Sequence, residues 1–204
     1  MRKEVAQTRA YYNRNADAWV ARKTNSFIHE SVFQKLVKRW LERGNILDIG
    51  CSAGVLVPLF LGIGSKLQYT GIDSSTAFLK IAKRRYPQLP FIQADISEKA
   101  SLPRKSFDGF VATAVLMHVP EYLWDTAFDN LESLMKKGAV GYVTLPIAPL
   151  SDKRRRGDIR HFTIKNEAEQ VAYFKKRGWK IITKEIKWDF PGDERWRGYI
   201  VKLP

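Results

Sequence analysis

The sequence predicts an α/β fold, a mostly parallel sheet with helices on both faces. Three observations predict it. Short apolar runs suited to buried strands recur at Ile46-Leu47, Leu67–Asp73, Phe91–Ile96, from Phe107, and at Val140–Leu145. Helical patterns closed by breakers stand between them, which is the layout of βαβ units. Three of the runs end on an acid, Asp48, Asp73 or Asp95. The carboxyl ends of strands are where open α/β sheets bind their ligands.

The stretch Ile46–Gly54 organises the chain. Its apolar start breaks into the small residues Gly50, Ser52, Ala53 and Gly54, and an apolar run resumes at Val55–Leu61 as the following helix. Strand, small-residue turn and helix let a backbone approach a nucleotide-like ligand, because no Cβ intervenes. The turn alone also fits a plain βα connection. Gly50-Cys51-Ser52-Ala53-Gly54 even matches a nucleophile elbow literally, although the downstream spacing of acid and histidine points elsewhere.

Residues 1–40 read as helical. Ser31–Leu41 places Val32, Leu36 and Val37 on one face, Ser26 or Ser31 offers a cap, and Arg43-Gly44 a stop. Tyr11, Tyr12 and Trp19 either pack on the core or cover a ligand. Asp73 follows the first turn at the ~20-residue distance of an acid that accepts both ribose hydroxyls, a role suited to an acceptor-only carboxylate. The plainer alternative is that it caps the next helix, as could Ser74 or Ser75. That helix, Ala77–Tyr86, ends at Pro87. A helix over Thr126–Met135 is expected to stop at Lys136-Lys137-Gly138, with cations in its last turn. Asn166–Arg177 is amphipathic and closes at Gly178. Strands at Trp179–Ile186 and Trp196–Val201, joined through Pro191-Gly192, are expected to pair antiparallel.

Composition sets the class. With 204 residues the chain can bury a sizeable core, and no repeat or linker divides it. No apolar run nears the ~18 residues of a membrane helix, and the charged start Met1-Arg2-Lys3-Glu4 has no secretory character. Cys51 is the single cysteine, which excludes an internal disulfide and suits a reducing cytosol; in the tight turn it reads as a packing residue. The net charge of +14 suits RNA, an anionic membrane face or an acidic small substrate, and equally a general solubility bias.

The ordered motifs resemble the class I S-adenosylmethionine-dependent methyltransferases over Tyr11 to Leu203. Leu47–Gly54 resembles the first motif, Gly71–Ser74 the ribose motif, Gln93–Ile96 the adenine segment, Phe107–Val119 the fourth-strand motif, and Leu134–Ala139 the turn before strand five. The sequence departs at Ser52, where the family places its middle glycine, and at Ala139. The resemblance implies a Rossmann-like three-layer sandwich, α/β, with a seven-stranded, mostly parallel sheet, an antiparallel last strand and helices on both faces. It implies a single domain over 1–204, with an N-terminal helical lid region in 1–44 and a core in 45–204. The cofactor would be S-adenosylmethionine, leaving as S-adenosylhomocysteine. Asp48, Gly50 and Ser52 would approach its methionine part, Asp73 and Ser74 the ribose, Asp95 and Ile96 the adenine, and Thr113 the methionine end. Tyr12 would cover the site, and Tyr11, Arg160 and His161 would face the acceptor.

Methyl transfer from a sulfonium needs mainly positioning, and a base only for a protonated acceptor. His118 follows the fourth strand and is the candidate base, or else a histidine that holds the loop. No metal site is expected: the histidines have no ligand spacing. The leading expectation is a cytoplasmic enzyme, monomer or homodimer, acting on a small molecule. One alternative is an RNA methyltransferase, since Lys153–Phe162 is faintly similar to a stretch of tRNA wobble-uridine methyltransferases. The other is a non-catalytic cofactor-binding protein.

Overall fold

A computed structural model describes residues 2–22, 44–62, 67–98, 106–148, 158–190 and 194–204. In chain order the elements are α1 (Lys3–Arg22), β1 (Asn45–Ile49), α2 (Val57–Leu61), β2 (Gln68–Asp73), α3 (Thr76–Arg85), β3 (Phe91–Gln93), β4 (Phe107–Thr113), α4 (Trp124–Leu134), β5 (Met135–Pro146), α5 (Glu167–Lys176), β6 (Lys180–Phe190) and β7 (Glu194–Lys202). Two short 3₁₀ turns, Leu116–His118 and Glu121–Leu123, precede α4.

The seven strands form one sheet in the order β3-β2-β1-β4-β5-β7-β6. Pairings from β3 through β5 are parallel, and β7 runs antiparallel between β5 and β6. This is the expected Rossmann-like sheet. The strand order turns back at β1, between β2 and β4, and such a reversal opens a crevice at the carboxyl ends.

Side chains alternate between two cores. Leu47, Ile49, Phe110, Ala112 and Val143 face Phe128 and Leu131 of α4 and Phe174 of α5. Ile46, Val111, Tyr142 and Ile200 face Phe60 of α2 and Leu79 and Ala82 of α3. Each fully buried large side chain contributes roughly 1.5–3 kcal/mol, so the central strands anchor both layers. Tyr12, Trp19 and Val20 of α1 pack on Phe78 and Ile81 of α3.

Several boundaries differ from expectation. Ser52–Leu56 forms turns, so α2 starts at Val57 with Pro58 in its first turn, where a missing N–H costs little. Helix α4 stops at Leu134, and Lys136, Lys137 and Gly138 belong to β5 rather than to a helix end. Lys136 Nζ instead meets Asp108 Oδ1 at 2.7 Å. Strand β3 ends at Gln93, which leaves Asp95 in the loop beyond it. Ser75, not Asp73, caps α3 by accepting from the Phe78 N–H. Asn166 and Glu169 form a reciprocal capping box on α5. The helix expected over Ser31–Leu41, its caps, and the basic run Lys153–Arg156 lie outside the described residues. Among those residues, no helix is long and apolar enough to cross a membrane.

Candidate active site

A cavity of about 510 Å³ opens at the carboxyl ends of β1, β2 and β4 and the loop after β3, under α1. It brings together Tyr11, Tyr12, Asp48, Gly50, Ser52, Asp73, Ser74, Asp95, Ile96, Thr113, His118 and Arg160. Of the residues expected at a site, His161 is not in its wall. The His161 ring meets Thr163 Oγ1 at 2.9 Å, and the His161 backbone N–H donates to Thr8 Oγ1.

The β1–β3 side is built from short loops and acids. Gly50 has φ +71°, and a Cβ there would lie 2.5 Å from Val115 Cγ2, so both backbone and space require glycine. Ser52 adopts φ +51° without being glycine, a strain of roughly 1–2 kcal/mol. Its N–H donates to Asp73 Oδ2 at 2.8 Å, while the Ser75 N–H donates to Asp73 Oδ1 at 2.8 Å. These bonds aim Asp73 and occupy only half of the four lone-pair positions of its carboxylate. Burial pushes the Asp73 carboxyl up to about 6 against the pull of those N–H groups. The Ser52 hydroxyl is buried without a partner, and no histidine or acid activates it, so the nucleophile-elbow alternative has no chemistry here.

Asp48 is fully buried; its Oδ2 accepts from the Tyr69 hydroxyl at 2.8 Å and its Oδ1 has no partner. Burial raises its carboxyl to about 7, partly offset by the Tyr69 bond. Cys51 is buried between them, and burial pushes its thiol well above the ordinary value. Asp95 accepts from Ser97 N–H and Oγ on one oxygen and from Arg9 Nη2 at 3.1 Å on the other. Asn130 Nδ2 donates to the Ile96 carbonyl at 2.9 Å and pins this loop.

The opposite side joins α1, the turn after β4, and residues 158–163. His118 Nδ1 lies 2.7 Å from the His161 carbonyl, which can only accept, so Nδ1 carries the proton. Nε2, 2.7 Å from the Tyr12 hydroxyl, then accepts from it. Burial holds the His118 pKa down to about 4. The ring is neutral at pH 7, with both nitrogens engaged, and as a base it could hold a proton only in acid. Through these two bonds His118 links α1 to residues 158–163, and its depressed pKa speaks against a base that titrates near neutrality. Burial also raises the Tyr12 hydroxyl to about 12, against the pull of Arg160. Arg160 Nη1 donates to that hydroxyl at 3.0 Å, and its Nε and Nη2 grip Asp158. Burial opposes the Arg160 charge, but Asp158 outweighs it and keeps the guanidinium firmly protonated.

Sequence reasoning missed Arg9, Asn13, Asp158 and Ser97. Asn13 Oδ1 accepts from Ser75 Oγ at 2.8 Å and Ala77 N at 3.1 Å, tying α1 to the start of α3. The available signal was the helical spacing of Val5, Thr8, Arg9, Tyr12, Asn13 and Ala16 on one face of α1. Its polar members gave no apolar stripe to read.

A methyltransferase-domain family model matches residues 46–138. Over 106 residues the chain is 32% identical to trans-aconitate 2-methyltransferase of Afipia carboxidovorans, covering 52% of this chain and 40% of that protein. Over this central part the chain is similar to S-adenosylmethionine-dependent methyltransferases. It spans about two fifths of the length of the curated relatives it matches. Magnesium protoporphyrin IX methyltransferase of Synechocystis PCC 6803, solved with bound SAH, superposes with a TM-score of 0.79 at 18% identity, covering 99% of this chain and 100% of that one. The cyclase SpnF superposes with a TM-score of 0.75 at 16% identity, covering 98% and 97%. At such identities the likeness is one of fold, and a fold hosts more than one chemistry.

Proposed function

We propose that this chain is an S-adenosylmethionine-dependent methyltransferase acting on a small-molecule acceptor. The observation that carries the reading is the pair of orphaned buried atoms, Asp48 Oδ1 and Ser52 Oγ, beside an Asp73 carboxylate with spare lone pairs. Buried polar atoms without partners are costly, and a zwitterionic ligand relieves the cost. Asp48 would take the ammonium of the cofactor's methionine part, and the Ser52 hydroxyl its carboxylate. Gly50 lets the backbone approach. Asp73 and Ser74 would hold the ribose, Asp95 and Ile96 the adenine, and Thr113 the methionine end, with Tyr12 and α1 as the cover.

The cofactor supplies a methyl group already activated by its positive sulfur. The protein's task is to align the acceptor and exclude water. A walled cavity of about 510 Å³ suits a cofactor with a small acceptor and supports that reading over a nucleic acid. A cytosolic setting belongs to the proposal, since the single buried cysteine calls for no oxidising compartment.

The test is a melting curve with and without S-adenosylhomocysteine, followed by transfer of a labelled methyl to a metabolite pool. At one hundred times Kd the ligand stabilises by about 2.7 kcal/mol, a shift of several degrees. An unmoved melting temperature at millimolar ligand would overturn the reading.

A further inference from the structure

The first turn of α3 is served by two side chains, one of them from another helix. A helix start leaves its first N–H groups without intrahelical partners. Ser75 Oγ accepts from the Phe78 N–H at 3.2 Å. The Ala77 N–H instead donates to Asn13 Oδ1 of α1 at 3.1 Å. The same oxygen accepts from Ser75 Oγ at 2.8 Å and lies 3.4 Å from Thr76 Oγ1. The Ser75 hydroxyl is therefore fixed in both directions, donating to α1 and accepting from α3. Ser75 is 1% exposed, so water does not compete for these bonds.

The backbone of Ser75 reaches a different partner. Its N–H donates to Asp73 Oδ1 at 2.8 Å, while the Ser52 N–H holds Oδ2. The aim of Asp73 rests on those two N–H groups. One comes from the turn after β1. The other belongs to a serine whose side chain is held by α1. Asn13 thus reaches Asp73 through one intervening residue, without lining the cavity itself. Helix α1 has other anchors: Tyr12, Trp19 and Val20 pack on Phe78 and Ile81, and Tyr12 bonds His118. These keep α1 docked without Asn13, so the effect of Asn13 is local to Ser75.

We propose that Asn13 is a positioning residue for the ribose: through Ser75 it sets the aim of Asp73, so that seating α1 on α3 and filling the ribose position support each other. This rests on the cofactor reading above. Such a coupling is reciprocal. With α1 seated, Asp73 has both N–H groups in place and turns its remaining lone pairs toward the two ribose hydroxyls. With a ribose bound, Asp73 is held from the ligand's side, and the Ser75–Asn13 bond is held with it. The helix over the cavity then senses the sugar as well as touching the ligand.

The experiment uses the full chain and two ligands, S-adenosylhomocysteine and its 2′,3′-dideoxy counterpart, with Kd read by calorimetry. Leucine keeps the branched shape of asparagine and offers no acceptor. Asn13→Leu should raise Kd for S-adenosylhomocysteine roughly 3–10-fold, the worth of one hydrogen bond, and leave Kd for the dideoxy ligand within about two-fold. In Ser75→Ala the link is already cut, so adding Asn13→Leu should change Kd for S-adenosylhomocysteine by less than about two-fold. A residue serving stability alone would weaken both ligands equally. Hydrogen exchange needs no variant: at equal occupancy S-adenosylhomocysteine should slow the amides around Asn13 and from Ser75 to Phe78 more than the dideoxy ligand does. An unchanged Kd in Asn13→Leu, equal losses on the two ligands, an undiminished effect in Ser75→Ala, or equal protection by both ligands overturns the role of Asn13 and leaves the cofactor reading standing. A wild-type chain that binds the two ligands equally overturns the ribose assignment of Asp73 and this inference with it. One that binds neither overturns the cofactor reading itself.

Discussion

The two halves of the cavity are built by opposite means. The β1–β3 half holds Asp48 and Asp73 with backbone N–H groups, one tyrosine and burial. Its acids are pushed upward in pKa and part of its polar atoms lack partners. The α1–Arg160 half holds its charged groups in a closed chain, Asp158 to Arg160 to Tyr12 to His118 to the His161 carbonyl. The difference teaches where unmet interaction is stored. The first half carries buried oxygens that a ligand would complete; in the second, the polar side chains from Asp158 to His118 are engaged with one another. A site organised this way favours ordered assembly, because the costly half gains most from being filled first.

The sharpest way to break this comparison is Asp73→Ala. The variant leaves the Ser52 and Ser75 N–H groups without their acceptor and removes the proposed ribose partner. A loss of about 3 kcal/mol, or ~10²-fold in Kd for S-adenosylhomocysteine, is expected by calorimetry. A Kd within three-fold of wild type would remove Asp73 from the binding half.

Asp48→Asn tests the claim of stored cost. The native carboxyl is raised to about 7, above the ordinary value, so the folded state keeps its proton longer than the unfolded chain. Its stability is therefore intact below the unfolded value near ~4 and is eroded as pH climbs toward 7. Without ligand, Asp48→Asn should melt higher than wild type above pH 7, by a few kcal/mol and about 4 at most, with the gap closing toward pH 4. With ligand it should bind more weakly. A variant less stable than wild type at pH 8 would contradict the picture.

His118→Ala probes the completed half. The loss of two buried hydrogen bonds should cost roughly 2–3 kcal/mol. The wild-type ring has its pKa depressed to about 4, so its contribution is present above ~6.5 and is lost as pH falls toward 4. The turnover profile of the wild type should accordingly be flat from pH 6 to 8. An inflection near 6.5 that vanishes in His118→Ala would restore the base role. The smallest effect is expected from Ser52→Gly: strain relief and unfolded-chain entropy oppose each other, leaving stability within about 1 kcal/mol. Cofactor affinity should fall a few-fold through loss of the hydroxyl, and equal affinity would free Ser52 of a binding role.

The same contrast explains what was legible in the sequence. The β1–β3 half was readable because its acids lie at or just beyond the carboxyl ends of strands, within short motifs of small residues. The sheet was readable for a related reason, since apolar runs alternate with breakers; Pro191-Gly192, expected as the turn between the last two strands, lies outside the described residues. The other half joins residues such as Tyr12 and Arg160 that are far apart in the chain. No local pattern encodes such contacts. His118 shows the cost: its place after β4 was legible, but its neutral state depends on burial and on the His161 carbonyl. The end of α4 was misread because Lys136-Lys137-Gly138 carries a helix-stop composition inside a strand.

Cys51 offers a consequence of a practical kind. It is the one thiol in the chain, buried within the turn beside Asp48 and Asp73, and its high pKa keeps it inert while the turn is closed. Alkylation of this sulfur is therefore a stopwatch for opening of that turn. Its rate, followed by intact mass, reads the local opening equilibrium at one backbone position without any added label. A ligand that completes the neighbouring acids should slow the clock in proportion to its occupancy, turning a packing residue into a built-in gauge of site assembly.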